Sequence, residues 1–332
     1  MRWKTRPEGS SWGEYGPDDQ LGRANELTPE RTRRAVLEVR EGISFCLSLP
    51  LDYPGKSVLN PRRFPPVLRP TFRNARVNYV YRYGEDDPRR QDITCDDAAI
   101  LYLQYSSQWD GLAHYGEMFD ADGDGVPEPL FYNGWRGGVD VVGGVSSCHA
   151  DKLGVENMAE KCMQGRGIMV DLFAHYGRTR KVVGYDDLMT VLKKDSVQVE
   201  AGDMLCLHTG FAQMLLEMKK NPNKELLDRS CAVLDGNDAR LLGWIGESRI
   251  ASLVCDNYAV EAPAEAVPPD QLPMGLHRHC LFKVGVNLAE LWHLTPLAEW
   301  LRAHNRYRFL LTAPPLRLTG AIGSPPVAVA TV

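Results

Sequence analysis

From about residue 150 onward, apolar runs alternate with segments of helical period. "RGIMVDLFAHYG" contains a buried strand, and "GDMLCLHTGF", "IASLVCDN" and "YRFLLTAPP" read as further strands, the last of them closing the fold. "YDDLMTVLKKDS", "DGNDARLLGWIGES" and "TPLAEWLRAHN" read as helices between them, as does "DKLGVENMAEKCMQG". "LHRHCLFKVGVNLAELWHL" starts helical and ends extended. Upstream, "LTPERTRRAVLEVREG" predicts a capped helix, with Thr28 as N-cap, Pro29 in the first turn and Gly42 as the stop. "ISFCLSLPLD" and "AAILYLQYSSQWD" are strand candidates. Residues 1–27 read as an extended arm, 53–95 as a Pro-, Arg- and Tyr-rich excursion over the surface, and 116–147 as a Gly- and Asp-rich loop. The order of elements predicts an α/β protein with helices flanking sheets, and no linker-like stretch divides it.

Charge narrows the function classes. A net charge of -5 supplies no basic surplus for phosphates, which argues against nucleic acid as a partner. No apolar run is long enough to span a bilayer, so no membrane partner is expected, and the polar N-terminus lacks the apolar core of a signal peptide. The eight cysteines are scattered, with no CxxC pair. That pattern reads as reduced thiols, and the expected location is cytoplasmic.

The stretch with chemistry in it is "QYSSQWDGLAH", Gln104 to His114. If 101–110 is extended, Gln104, Ser106, Gln108 and Asp110 share one face, spaced about 7 Å apart at every second residue. Gly111 then permits a turn that brings His114 back over that face. A half-buried strand with a solvated polar face is the competing reading of the same pattern.

This stretch resembles the signature of the cyclase family that includes bacterial kynurenine formamidase and isatin hydrolase, His-x-Gly-Thr-His-x-Asp-x-Pro-x-His. Asp110 and His114 match it; Gln104 and Gln108 stand where two ligand histidines would be. His277 and Glu290 resemble the family's later ligand pair, with His279 as the competing histidine. "GDMLCLHTGF" and the terminal "GSPPVAVATV" resemble two further segments. The resemblance implies the family's swivelling β/β/α fold over residues 96–332, with 1–95 as an N-terminal extension packed on it. It implies a divalent cation held by Gln104, Gln108, Asp110, His277 and Glu290, with His114 as general acid and base, assisted by Asp110. The implied reaction is arylformamidase-like hydrolysis of an amide, cyclic amide or lactone bond in a small, aromatic molecule, by a homodimer or homotetramer. Two rivals stay open: a metal-independent hydrolase or lyase on the same fold, with Asp110 orienting His114, and a small-molecule binding protein without chemistry.

The glutamines change the metal expected. An amide oxygen is a harder, weaker ligand than imidazole, so an oxygen-rich set favours manganese, magnesium or calcium over zinc, with manganese the first choice. Trp109, Phe119 and Trp135 are candidates for an aromatic substrate pocket. Asp120, Asp122 and Asp124, followed by Gly125, resemble the first half of a calcium loop, although position twelve is Phe131 and a plain Asp/Gly turn explains them equally. His149, His175 and His208 read as structural. Asp256 and Asn257, at a strand's C-terminal edge, are held as supporting residues.

Overall fold

The computed structural model describes residues 2–263 and 267–332. Among these, nine strands join in one mixed sheet. In chain order they are β1 (Ser44–Cys46), β2 (Gln108–Asp110), β3 (Gln164–Asp171), β4 (Met204–His208), β5 (Ser252–Cys255), β6 (Asn287–Glu290), β7 (Arg308–Thr312), β8 (Gly323–Ser324) and β9 (Val329–Thr331). Across the sheet the order is β1-β9-β7-β3-β4-β5-β6-β2-β8.

The four central strands, β3 to β6, run parallel. Parallel strands need crossovers that cover both faces, which is why their sequences are apolar throughout: every residue of β4, β5 and β6 is buried. Alternation along each strand then divides the core. Ile168, Leu205, Leu253 and Leu288 face one side, against helices Tyr185–Lys194 and Ala239–Ser248. Met169, Cys206, Val254 and Ala289 face the other, against Thr295–Ala303.

The helix after Thr28 forms as expected, with the Thr28 hydroxyl accepting from the Arg31 N–H, but it spans Pro29–Val36 and ends before Gly42. Two expectations are corrected. "AAILYLQYSSQWD" is not one strand: Asp97–Ile100 pairs with Val67–Pro70 in a separate two-stranded sheet, and only Gln108–Asp110 joins the main sheet. Side chains hold the turn between them. Ser107 accepts from Leu49 N–H and donates to the Leu291 carbonyl, and the Tyr105 hydroxyl accepts from Gly55 N–H. Such local bonds compete with extension. "YRFLLTAPP" is not the last strand either, because β8 and β9 follow it.

The first 95 residues do several jobs. Trp12 is fully buried, donates its indole N–H to the Phe282 carbonyl and meets the Phe282 ring edge-on at 5.1 Å. β1 is the edge strand of the main sheet, paired with β9. The pairing of Tyr79–Arg82 with Ile93–Cys95 ends at residue 95, and the pairing of Val67–Pro70 with Asp97–Ile100 crosses it. None of the helices is long and apolar enough to cross a membrane, among the described residues.

Leu253 is completely buried at the centre of β5. Leu253→Ala is expected to lower unfolding stability by about 2–5 kcal/mol, read as a drop in the urea midpoint at unchanged slope.

Candidate metal centre

Strand register builds the centre. Gln108 on β2 lies directly opposite Glu290 on β6, and Asp110 opposite Leu288. Side chains two apart on a strand share a face, and directly opposed residues have Cβ atoms about 4.5–5.5 Å apart, so Gln108, Asp110 and Glu290 form one polar cluster on a buried sheet. The segment after β5 returns over it. Its first turn, Gly275–His277, carries His277 into the cluster, and Gly285 (φ +66) ends the helical stretch and turns the chain into β6. Ligand atoms of Asp110, His277 and Glu290 lie within 4.8 Å of one another, and all three residues are buried.

His277 is engaged at both nitrogens. Nδ1 meets Glu261 Oε1 at 2.8 Å and Nε2 faces Glu290 Oε1 at 3.3 Å. The Glu261 carboxylate also accepts the backbone N–H groups of Leu276 and His277, which fixes its place. A carboxylate behind one ring nitrogen orients the other toward a metal, a recurring feature of metal-binding histidines. Burial alone would depress the imidazole; hydrogen bonds and charge from Glu261 and Glu290 outweigh it and push His277 up to about 10. Burial pushes Asp110 above the usual carboxylate range. Burial acts on Glu290 in the same sense, but the His277 hydrogen bond and charge leave it lowered. The cluster thus demands positive charge.

Two buried oxygens ask for the same thing. Glu290 Oε2 and Gln108 Oε1 have no hydrogen-bond partner, while the Gln108 amide nitrogen donates to both Asp110 oxygens at 3.1 and 3.2 Å. Buried acceptors without donors are costly and rare. A cation among Asp110, Glu290, Gln108 and His277 Nε2 would satisfy both, so these residues fit one.

Gln104 sits on the turn before β2 rather than on a strand. Gly323 pairs with Asp110, and a Cβ on Gly323 would lie 2.2 Å from the Gln104 amide nitrogen. Paired residues point to the same face, so the Gln104 amide lies over the Asp110 side of the sheet. His114 also returns to this face. Its Nε2 is 3.7 Å from Asp110 Oδ1, near but beyond hydrogen-bond length.

The aromatic candidates lie elsewhere. Trp109 faces the opposite side of the sheet, donating to the Ala313 carbonyl and meeting Trp292 edge-on at 5.1 Å. Its odd place in the strand alternation puts it there. Phe119 packs against Trp12 and Phe282. Trp135 is buried, donates to the Asp19 carbonyl and stacks under Arg2. Asp120, Asp122 and Asp124 lie together, but they accept Gly123, Gly125, Asp124 and Val126 N–H groups inside a turn between two short strands, the plain-turn arrangement. His279 is not in the cluster: it is held neutral by burial and Lys283, pushed down to about 4. Asp256 is buried under Thr209 and Gly210, three of whose donors it accepts.

Sequence reasoning missed the wall of the site. His114 opens onto a cavity of about 720 Å³ that is also lined by Asn60, Arg63, Arg180 and Tyr258. Residues 58–63, read as surface excursion, form one side of it. The Arg63 guanidinium donates to the Gln104 carbonyl at 2.6 Å, and its charge bears on Asp110 and Glu290. Burial keeps the Tyr258 hydroxyl protonated, and Asn60 donates to it at 3.4 Å. No spacing in the sequence marks these residues or Glu261, because only the fold brings them to the cluster.

With this geometry in place, comparison identifies the family. The profile described as "Putative cyclase" matches residues 47–262, more than half of the chain. The chain belongs to the cyclase family. A crystal structure of a novel cyclase shares 28% identity over 97% of this chain and 99% of its own, with a TM-score of 0.77. Isatin hydrolase A from Ralstonia solanacearum shares 14% identity over 91% of this chain and 97% of its own, at a TM-score of 0.57. An isatin hydrolase bound to the product analogue thioisatinate shares 13% over 92% and 99%, at 0.55. These last two establish likeness of fold. No curated protein matches.

Gly323→Ala tests the place of Gln104. The added methyl would overlap Gln104 from its amide nitrogen back to Cγ and swing that side chain away, so divalent-cation affinity should fall several-fold by calorimetry, with the denaturation midpoint measured alongside to show that the fold holds. Unchanged affinity would remove Gln104 from the ligand set.

Proposed function

We propose that the protein is a metal-dependent hydrolase that opens an amide, cyclic amide or lactone bond in a small acyl compound. The observation that carries this reading is the convergence of buried Asp110, His277 and Glu290 from distant segments, with His114 beside them on the cavity wall. Membership of the cyclase family and likeness in fold to isatin hydrolases support it.

Asp110, Glu290 and His277 Nε2, with the amide oxygens of Gln108 and Gln104, would hold the cation. When bound, such a cation polarises a carbonyl and lowers the pKa of water. The chain does the rest. Glu261 holds His277 Nδ1, so a cation that displaced the Nε2 proton facing Glu290 would find Nε2 oriented as a ligand. His114 takes the proton from the attacking water and returns it to the leaving nitrogen or oxygen. Arg63, beside the cluster, offsets part of its negative charge. Tyr258 presents a protonated hydroxyl at the same wall, where it can donate to a carbonyl oxygen. Donors that are mostly oxygen favour manganese over zinc.

Hydrolysis is to be followed with isatin, formanilide and a benzo-fused lactone on manganese-loaded protein. Chelation is expected to abolish turnover. His114→Ala should lower kcat about 10²–10⁴-fold with metal content unchanged. Turnover that survives both treatments would contradict the assignment.

Gln108→His replaces an amide with imidazole. Zinc affinity should rise at least about tenfold and the preference for manganese should narrow, measured by competition with a chromogenic chelator. No change in zinc affinity would exclude Gln108 as a ligand.

A further inference from the structure

The cavity beside His114 is lined by four cationic side chains, Arg62, Arg63, Arg180 and Lys224, and by one acid, Asp228. Three of the four cations are accounted for. Lys224 holds both oxygens of Asp228 at 2.9 Å. Arg62 is exposed, where solvent screens it. Arg63 donates to the Gln104 carbonyl and its charge serves Asp110 and Glu290.

Arg180 is different. It is half-buried, and burial lowers its pKa; the charges of Cys231 and Asp228 act in the opposite sense without cancelling that effect, and no carboxylate forms a salt bridge to it among the described residues. One guanidinium nitrogen, Nη2, donates to the Leu227 and Asp228 carbonyls, which fixes the plane of the group. The other guanidinium N–H groups have no partner among the described residues. Nearby Arg178, by contrast, is paired with Glu217 at 2.7 Å. The one nearby carboxylate, Asp228, is held by Lys224, so a half-buried, immobilised guanidinium is left without a hydrogen-bonded anion, and its fork matches a carboxylate.

We propose that Arg180 is the anchor for a carboxylate on the substrate, so that the chain acts on a compact organic acid carrying its scissile bond at the His114 end of the cavity. The inference rests on the hydrolase reading for which end reacts. The remaining wall suits the body of such a molecule: Phe211, Leu227 and Val233 are buried apolar residues, and Val58, Leu59 and Met274 close the sides. A cavity of about 720 Å³ takes a molecule of one or two rings. A single guanidinium with an apolar surround fits a monoanion rather than a phosphate dianion, which needs more donors.

The test is binding, which needs no turnover. Calorimetry on the metal-loaded protein should give benzoate an affinity at least about tenfold above benzamide, its neutral isostere. Arg180→Gln should erase that preference while leaving benzamide within about twofold, and Arg180→Lys should keep part of it. Equal circular dichroism and thermal midpoints of the two variants exclude misfolding. Equal affinities in the native protein would overturn the proposal. So would a preference that survives Arg180→Gln, which would mean that the acid is held at the Asp110 centre. Tighter binding of inorganic phosphate than of benzoate would overturn the choice of a carboxylate. If the hydrolase reading alone fails, the preference for benzoate and its dependence on Arg180 persist without turnover.

Discussion

Three carboxylates, Asp110, Glu261 and Glu290, are buried around one imidazole, and the rest of the site is arranged about that charge. Like charges out of water repel strongly and are tolerated only with compensating cations. His277 supplies one, drawn toward the imidazolium by its two glutamates. Arg63 adds a second from outside. The oxygens of Gln108 and Glu290 that lack any donor mark where more positive charge fits. A dication there would free His277 to act as a neutral ligand, held in orientation by Glu261. On the proposed reading the same balance would let glutamines stand at 104 and 108, with carboxylates supplying the charge and the amides only oxygen atoms.

The scaffold makes this arrangement from register. β2 is only three residues long, yet it lies between β6 and β8, so one strand carries Gln108 and Asp110 against Glu290 on one side and against Gly323 on the other. A one-residue slip would send those side chains to the face now occupied by Trp109. The buried indoles of Trp109 and Trp292, which donate to the carbonyls of Ala313 and Gln108, lock that register from below. Trp109 therefore contributes to function through position alone.

Much of the architecture was legible because the parallel core writes itself as apolar runs separated by helices with caps and periodic faces. Met204–His208, Ser252–Cys255 and Asn287–Glu290 fall within the segments expected. Asp110, His277 and Glu290 were legible through a motif resemblance, and the structure brings them together. The failures share a cause. Alternation suggested one strand through Gln104 and Ser106, but Ser107 and Tyr105 make tertiary hydrogen bonds that no local pattern encodes. Trp109, Phe119 and Trp135 were read as a pocket from nearness in sequence, whereas tertiary packing spends each ring on the core or the N-terminal arm. Arg63, Arg180, Tyr258 and Glu261 lie in segments that carry no motif; they meet only after the sheet has formed.

The central claim is that one cation sits between β2, β6 and the turn bearing His277. A manganese anomalous difference map from a crystal grown with that ion tests it most directly. The account predicts a single strong peak about 2.0–2.6 Å from oxygens of Asp110 and Glu290 and a comparable distance from His277 Nε2. A map with no peak there, or with manganese only at the Asp120–Asp124 turn, would contradict it.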